Sequence, residues 1–349
     1  MKRVHRFLSL AVCIVMIVLA GNVHAANKKG TPLQVYFADV EGGQATLFVT
    51  PAGESLLIDT GWTGHDSRDA KRIVALAKQA GINKIDYLLI THYHEDHVGG
   101  VPQLAAMIPI GTFIDHGPNR ETENPNVTKY YDAYQQELAK GGHEHILAKP
   151  GEKLPLKGID ATIVSADGNV IDQPLPGAGE KNSACKKTPA VPPDQTENVR
   201  SVGTVFTFGR LKLLDLGDLT KDKERELMCP VNKIGHIDIY IVSHHGWEQS
   251  GSPALVWGIH PQVAIMDNGA KKGGSPSSWD VIHQSPGLID LWQLHYSEEG
   301  AAEHNVAAPF IANLQGPDAG NYIKLTAWPN GKYEVFNSRT GATKRYHAR

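Results

Sequence analysis

The 349-residue sequence predicts one large domain of mixed α/β class, and three observations predict it. Short, continuous apolar runs, which suit covered strands, alternate with segments whose apolar residues fall at helical spacing. Ligand-type residues gather at the ends of three of those runs. No internal repeat and no second core breaks the pattern, so one domain is expected over residues 26–349.

The first 25 residues read as a cleavable leader. Lys2, Arg3 and Arg6 form a basic start, residues 7–20 are apolar except for Ser9, and Val23-His24-Ala25 offers small residues at the cleavage positions. The apolar stretch is short of the roughly 20 residues that span a bilayer. A cut after Ala25 is therefore expected, with a periplasmic or secreted mature chain and no membrane span left in it. Losing the three leader bases moves the formal net charge from −3 to −6. That balance argues against a broad nucleic-acid-binding face. The pairs Lys186-Lys187 and Lys271-Lys272 read as solvated surface. Cys13 leaves with the leader. Cys185 and Cys229 can then close one bridge in an oxidising compartment or stand as two free thiols; a bridge is the expectation.

Residues 33–40 and 45–50 read as strands joined by the hairpin-like turn Glu41-Gly42-Gly43-Gln44, and residues 56–61 as a third buried strand ending in Asp59. Ile73, Leu76, Ala77 and Ala80 place a helix over 68–80, stopped by Gly81. A strand over 85–90 follows, then a short helix over 101–107, a strand over 110–116, a helix over 126–140 and a strand over 158–164. Residues 166–198, rich in Pro, Gly, Lys and Asp, read as a surface insertion that is either a substrate lid or decoration. Residues 203–208 and 211–216 form a hairpin over Gly209-Arg210. A charged helix covers 221–228, and strands cover 237–242 and 263–267. Residues 321–328 and 332–337 form a last hairpin about Pro329-Asn330-Gly331.

The chain is organised around residues 91–100, Thr-His-Tyr-His-Glu-Asp-His-Val-Gly-Gly. Imidazole nitrogen and carboxylate oxygen are ligands for borderline metals such as Zn²⁺. A tight turn after a buried strand lets His92 and His94 point one way and Asp96 and His97 another, so one loop can serve two ions. Two further strand ends carry the same chemistry: Asp218 after Leu-Asp-Leu-Gly, and His244-His245 after Ile-Val-Ser. Asp218 suits a bridge, since a shared carboxylate lowers the repulsion between two cations. One of the paired histidines is expected to bind metal and the other to stabilise negative charge developing on the reacting group.

His-Tyr-His-Glu-Asp-His resembles the H-x-H-x-D-H signature of the metallo-β-lactamase superfamily. Together with FADVEGGQATLFV, LLIDTG, LLDLGDL, IVSHHG and the pair Asn198 and Ser201, it resembles the competence-type (ComEC-type) branch, over roughly residues 33–267 without the insertion. The resemblance implies a four-layer αββα sandwich with the metals at one edge. It implies His92, His94, Asp96, His97, Asp218 and His245 as ligands of two divalent metals, Zn²⁺ or alternatively Mn²⁺. Asp96 and His244 are the side chains expected at the chemistry, His244 as the charge-stabilising neighbour. Asp59 matches the strand-end Asp of LIDTG, which orients an imidazole rather than binding metal. Two departures stand out. Gln44 sits where the branch often has an acid, and no His precedes LLDLGDL. His116 is the possible substitute ligand, with His143 and His145 behind it.

Two cations sharing a hydroxide would suit hydrolysis of phosphodiesters, and a phosphodiesterase or nuclease-like enzyme is the first expectation. A lactonase or β-lactamase-type carbonyl hydrolase is the second. A non-catalytic metal-binding protein is the third. The substrate is thus a small molecule or a phosphodiester; the sequence leaves its identity and the oligomeric state open.

Overall fold

The computed structural model describes residues 30–349; the leader lies outside them. In chain order, β1 (Leu33–Phe37), β2 (Thr46–Val49) and β3 (Ser55–Ile58) form an antiparallel meander. Helix α1 (Arg68–Gln79) crosses to β4 (Ile85–Leu89), which runs parallel to β3. The short helices α2 (Glu95–Val98) and α3 (Val101–Ala105) lead to β5 (Ile110–Asp115), and α4 (Pro125–Ala139) leads to β6 (Glu144–Leu147). The second sheet begins with β7 (Asp160–Ala166) and β8 (Asn169–Val170), followed by the hairpin β9 (Gly203–Phe208) and β10 (Leu211–Asp215). It continues in parallel through α5 (Lys221–Met228), β11 (Ile239–Ile241), α6 (Pro253–Ile259), β12 (Val263–Met266), α7 (Pro276–His283), β13 (Asp290–His295) and β14 (Ile311–Asn313). The chain then returns to the first sheet as β15 (Ile323–Ala327), β16 (Lys332–Asn337) and β17 (Thr343–His347), with β15 antiparallel to β1.

The sheet orders are β17-β16-β15-β1-β2-β3-β4-β5-β6 and β14-β13-β12-β11-β10-β9-β7-β8. Side chains alternate in direction along a strand, so each sheet has two faces to cover. Val35, Phe37, Leu56 and Ile58 of the first sheet meet Phe206, Leu213, Ile239 and Ile265 of the second in a shared core. Phe48 and Phe206 stack across it at 4.5 Å between ring centroids. The opposite parity, Tyr36, Leu47, Leu57 and Leu88, packs under α1, α3 and α4. On the far side Leu214, Tyr240 and Ala264 pack under α5, α6 and α7. The layers run helix, sheet, sheet, helix, as the resemblance implied.

The insertion packs on α5 and α6. Asn182 Nδ2 donates to the carbonyls of Met228 and Ala254, and Arg225 donates to Thr188 O. A Cys185–Cys229 disulfide fastens it at the end of α5, so the bridge expected from two cysteines is present. Among the described residues no helix is long and apolar enough to cross a membrane.

Candidate metal centre

Parallel strands of both sheets release their loops at one edge of the sandwich, the usual place for a binding crevice in such sheets. The segment after β4 carries His92 and His94 in its loop and Asp96 and His97 on α2. Asp218 follows β10, His244 and His245 follow β11, and Asp267 follows β12. Two groups of ligand-type atoms result. Asp96, His97, Asp218 and His245 each offer one atom within 4.8 Å of the others, and so do His92, His94 and Asp218. Asp218 belongs to both.

The four imidazoles share one construction. Each sets one nitrogen toward a partner outside the cluster and turns the other into it, although His245 Nδ1 makes no hydrogen bond to the nearby Asp267. His97 Nδ1 lies 2.7 Å from Asp59 Oδ2, and His245 Nδ1 lies 3.3 Å from Asp267 Oδ1. His94 Nε2 is 3.2 Å from Glu121 Oε2, and His92 Nδ1 is 3.0 Å from Thr91 Oγ1. Facing inward, His97 Nε2 meets His245 Nε2 at 3.2 Å, and His92 Nε2 meets His94 Nδ1 at 3.0 Å. Outer partners of this kind fix ring orientation and tautomer at metal sites. Asp59, His244 and His245 hold left-handed backbone, with φ of 59°, 55° and 54°. That costs on the order of 1–3 kcal/mol each and is tolerated where surrounding structure enforces it. Gly43 is required by close approach: a Cβ there would sit 2.3 Å from the Asp96 carbonyl oxygen.

The electrostatics call for positive charge at this place. Burial pushes the His97 imidazole down, but Asp218, Asp96 and Asp59 outweigh it and hold it well above its ordinary value. Burial raises the Asp96 carboxyl, yet Lys272 and His97 bring it well below the usual range. His92, ringed by other imidazoles, is driven well down by burial and by His97. Asp218 Oδ1 is buried and accepts no hydrogen bond. An orphaned carboxylate oxygen beside converging imidazole nitrogens fits a divalent cation of the Zn²⁺ type.

The remaining candidates sort clearly. His244 Nε2 stands 3.2 Å from Asp218 Oδ2, the oxygen that His92 Nε2 faces at 3.8 Å, and burial takes His244 down to about 4. His116 is in neither group: its Nε2 pairs with Glu197 Oε2 at 2.8 Å. His145 pairs with Asp115, and His143 packs edge-on against Phe113. Gln44 donates to Asp215 Oδ2 at 2.6 Å, where an acid would have faced a second buried carboxylate; burial already pushes Asp215 up to about 7. Sequence reasoning missed Glu121 and Glu197. The Glu197 N–H donates to Glu121 Oε2, so the end of the insertion braces the carboxylate that holds His94. It also missed Lys272, which was expected on a solvated surface. Its ammonium instead contacts Asp96 Oδ2 and its side chain is 19% exposed. A third acidic group, Asp39, Glu41 and His295, already has a cation, since Arg72 Nη1 sits 3.1 Å from Asp39 Oδ2.

Fold and site together define a sandwich with buried His/Asp clusters able to bind metal at one edge. Residues 38–185 match the Lactamase_B family model, described as the metallo-beta-lactamase superfamily, so this part of the chain carries a domain of that superfamily. It is similar to Recombination protein 2 of Haemophilus influenzae, 25% identical over 238 residues, which is 68% of this chain and 24% of that protein. It is also similar to ComE operon protein 3 of Bacillus subtilis, 23% identical over 275 residues, or 75% of this chain and 31% of that one. The chain thus spans about a quarter to a third of the length of these relatives. Among solved structures, the metallo-beta-lactamase fold protein YhfI from Bacillus subtilis superposes with a TM-score of 0.48 at 12% identity, covering 84% of this chain and 99% of that one.

Proposed function

We propose that residues 26–349 form one exported domain, a hydrolase that uses two divalent metals, Zn²⁺ or Mn²⁺, to cleave phosphodiesters. The observation that carries this reading is the pair of ligand groups sharing Asp218. Two cations, when bound, lower the pKa of water toward neutrality and neutralise charge on the attacking and leaving oxygens of a displacement. The protein's own part is to hold geometry. Asp59 and Glu121 orient His97 and His94, and Asp267 sets its charge 3.3 Å from His245 Nδ1. Asp218 offers one oxygen toward each group. His244, buried and kept neutral, presents Nε2 beside Asp218, from where it can meet charge forming on a phosphoryl oxygen. The resemblance of the sequence motifs to the competence-type branch supports a phosphodiester over a carbonyl substrate, while the acidic mature chain disfavours a long nucleic-acid polymer.

Elemental analysis and turnover of bis-p-nitrophenyl phosphate test this. Wild type should hold about two equivalents of metal, and Asp218→Ala should lose metal and turnover together. Lactone or cephalosporin turnover with no phosphodiester turnover in Zn²⁺ or Mn²⁺ would move the site to carbonyl chemistry. A folded wild type that takes up no metal would sink the proposal altogether.

A further inference from the structure

We infer that Lys272 is the residue that recognises the anionic group of the substrate, at a subsite walled by Trp62 and Trp247. The inference rests on the phosphodiester reading and adds the group that reads the substrate's charge.

The loop after β12 is built to deliver this side chain. Gly269 N–H donates to Lys272 O at 2.8 Å, closing the turn, and Gly274 N–H donates to His245 O at 2.9 Å. Asn268 Nδ2 ties the loop to Gly269 O and His295 O, and Ser297 Oγ donates to the carbonyls of Gly273 and Gly274. A Cβ on Gly273, which has φ of +79°, would lie 2.2 Å from His245 O, so the loop lies directly on the His245 backbone. Lys272 is therefore presented by an anchored turn rather than by a wandering surface segment.

Its ammonium lies 4.9 Å from the Trp62 ring centroid and 5.9 Å from that of Trp247. Trp247 is 39% exposed, so the pair opens to solvent. Indole faces attract a cation and strip water from its surroundings, which strengthens any charge–charge contact made there.

Asp96 Oδ2 shows what the ammonium is for. That oxygen faces His97 Nε2 and His245 Nε2 at 3.3 Å each, besides Lys272. A divalent cation held by this group would take over the carboxylate's charge and leave Lys272 without its anionic partner, still fixed beside the cluster. A non-bridging phosphoryl oxygen would supply the missing negative charge. A neutral lactone or ester carbonyl would not. Lys272 thus favours substrates already carrying a negative charge at the scissile group.

The test is the affinity of inorganic phosphate for the metal-loaded protein by calorimetry, beside metal content and bis-p-nitrophenyl phosphate kinetics. Lys272→Ala should keep the wild-type metal content yet bind phosphate about 10- to 100-fold more weakly, the scale for losing a hydrogen bond to a charged group. Lys272→Arg should restore most of that affinity. Phosphate binding unchanged in Lys272→Ala overturns the inference. So does loss of metal from both Lys272→Ala and Lys272→Gln, which would make the lysine a support of the cation site. The two readings fail separately. Lys272-dependent phosphate binding without diester turnover removes the phosphodiesterase, and diester turnover indifferent to Lys272→Ala removes the subsite.

Discussion

At the scale of single residues, neighbouring histidines differ because consecutive left-handed backbone turns their rings apart. His245 Nε2 joins Asp96, His97 and Asp218, whereas His244 Nε2 reaches only Asp218 Oδ2. Their alanine variants should fail in different ways. His245→Ala should lose bound metal and activity together. His244→Ala should keep metal and lose turnover by roughly 10²–10³-fold, the scale for removing one charge-stabilising donor. Metal analysis beside kcat separates them, and the opposite pattern would exchange their roles. The cluster residues were legible because four of them fall within residues 92–97 and Asp218 and His245 stand just after apolar runs. Glu121, Glu197 and Lys272 were not: an acid in a loop or one lysine of a pair carries no local signal, and only the tertiary approach to His94 or Asp96 gives it meaning.

At the scale of elements, the insertion is held to the outer helices by side-chain bonds and by one covalent tie. The bridge closes a segment of 44 residues, and such closure is worth about 4 kcal/mol through the unfolded chain. Cys185→Ser with Cys229→Ser should lower stability to urea by about that amount while leaving metal content intact. Loss of metal in the double variant would show that the insertion supports the cluster through more than Glu197. Element prediction succeeded where patterns were strong: 68–80 against α1, 221–228 against α5, and the Asn-Gly hairpin between β15 and β16. It missed β17, an edge strand of Thr-Lys-Arg-Tyr-His whose polar surface hides its period. It missed β13 because Gln293 and His295 interrupt the apolar run, although both are buried in the structure. It also passed over α6 and α7, short helices opened by Pro253 and Pro276, where proline reads as loop until its first-turn position is known.

At the scale of the whole molecule, Asp39 beyond β1 and His295 at the end of β13 pair across the sandwich at 2.6 Å. Burial raises the Asp39 carboxyl, but His295 and Arg72 overcome it and leave it below its ordinary 3.8. Burial lowers the His295 imidazole, but Asp39 and Glu41 lift it above its ordinary 6.5. Asp39 therefore stabilises the fold fully above about pH 4 and less as pH falls through its depressed value. His295 stabilises fully below about pH 6 and less as pH rises through its raised value. His295→Gln should destabilise by about 1–3 kcal/mol between those limits. The gap to wild type should narrow above neutrality, as urea unfolding from pH 5 to 9 would read it. A gap independent of pH would deny the pair its charge.

His97 and His245 are 148 residues apart along the chain and meet at 3.2 Å. Such distant contacts come late in folding, because loop closure is costly until packing rewards it. The half-site after β4 and the half-site after β11 have no common geometry until both sheets have formed and docked on Phe48 and Phe206. A cation arriving early finds at most the local ligands of residues 92–97, without Asp218 or His245. The complete group of Asp96, His97, Asp218 and His245 therefore needs the docked sandwich, whereas in a zinc finger binding and folding are one event. On the proposed reading of an exported chain, the ions on offer in the compartment where it completes its fold decide which metals the site acquires.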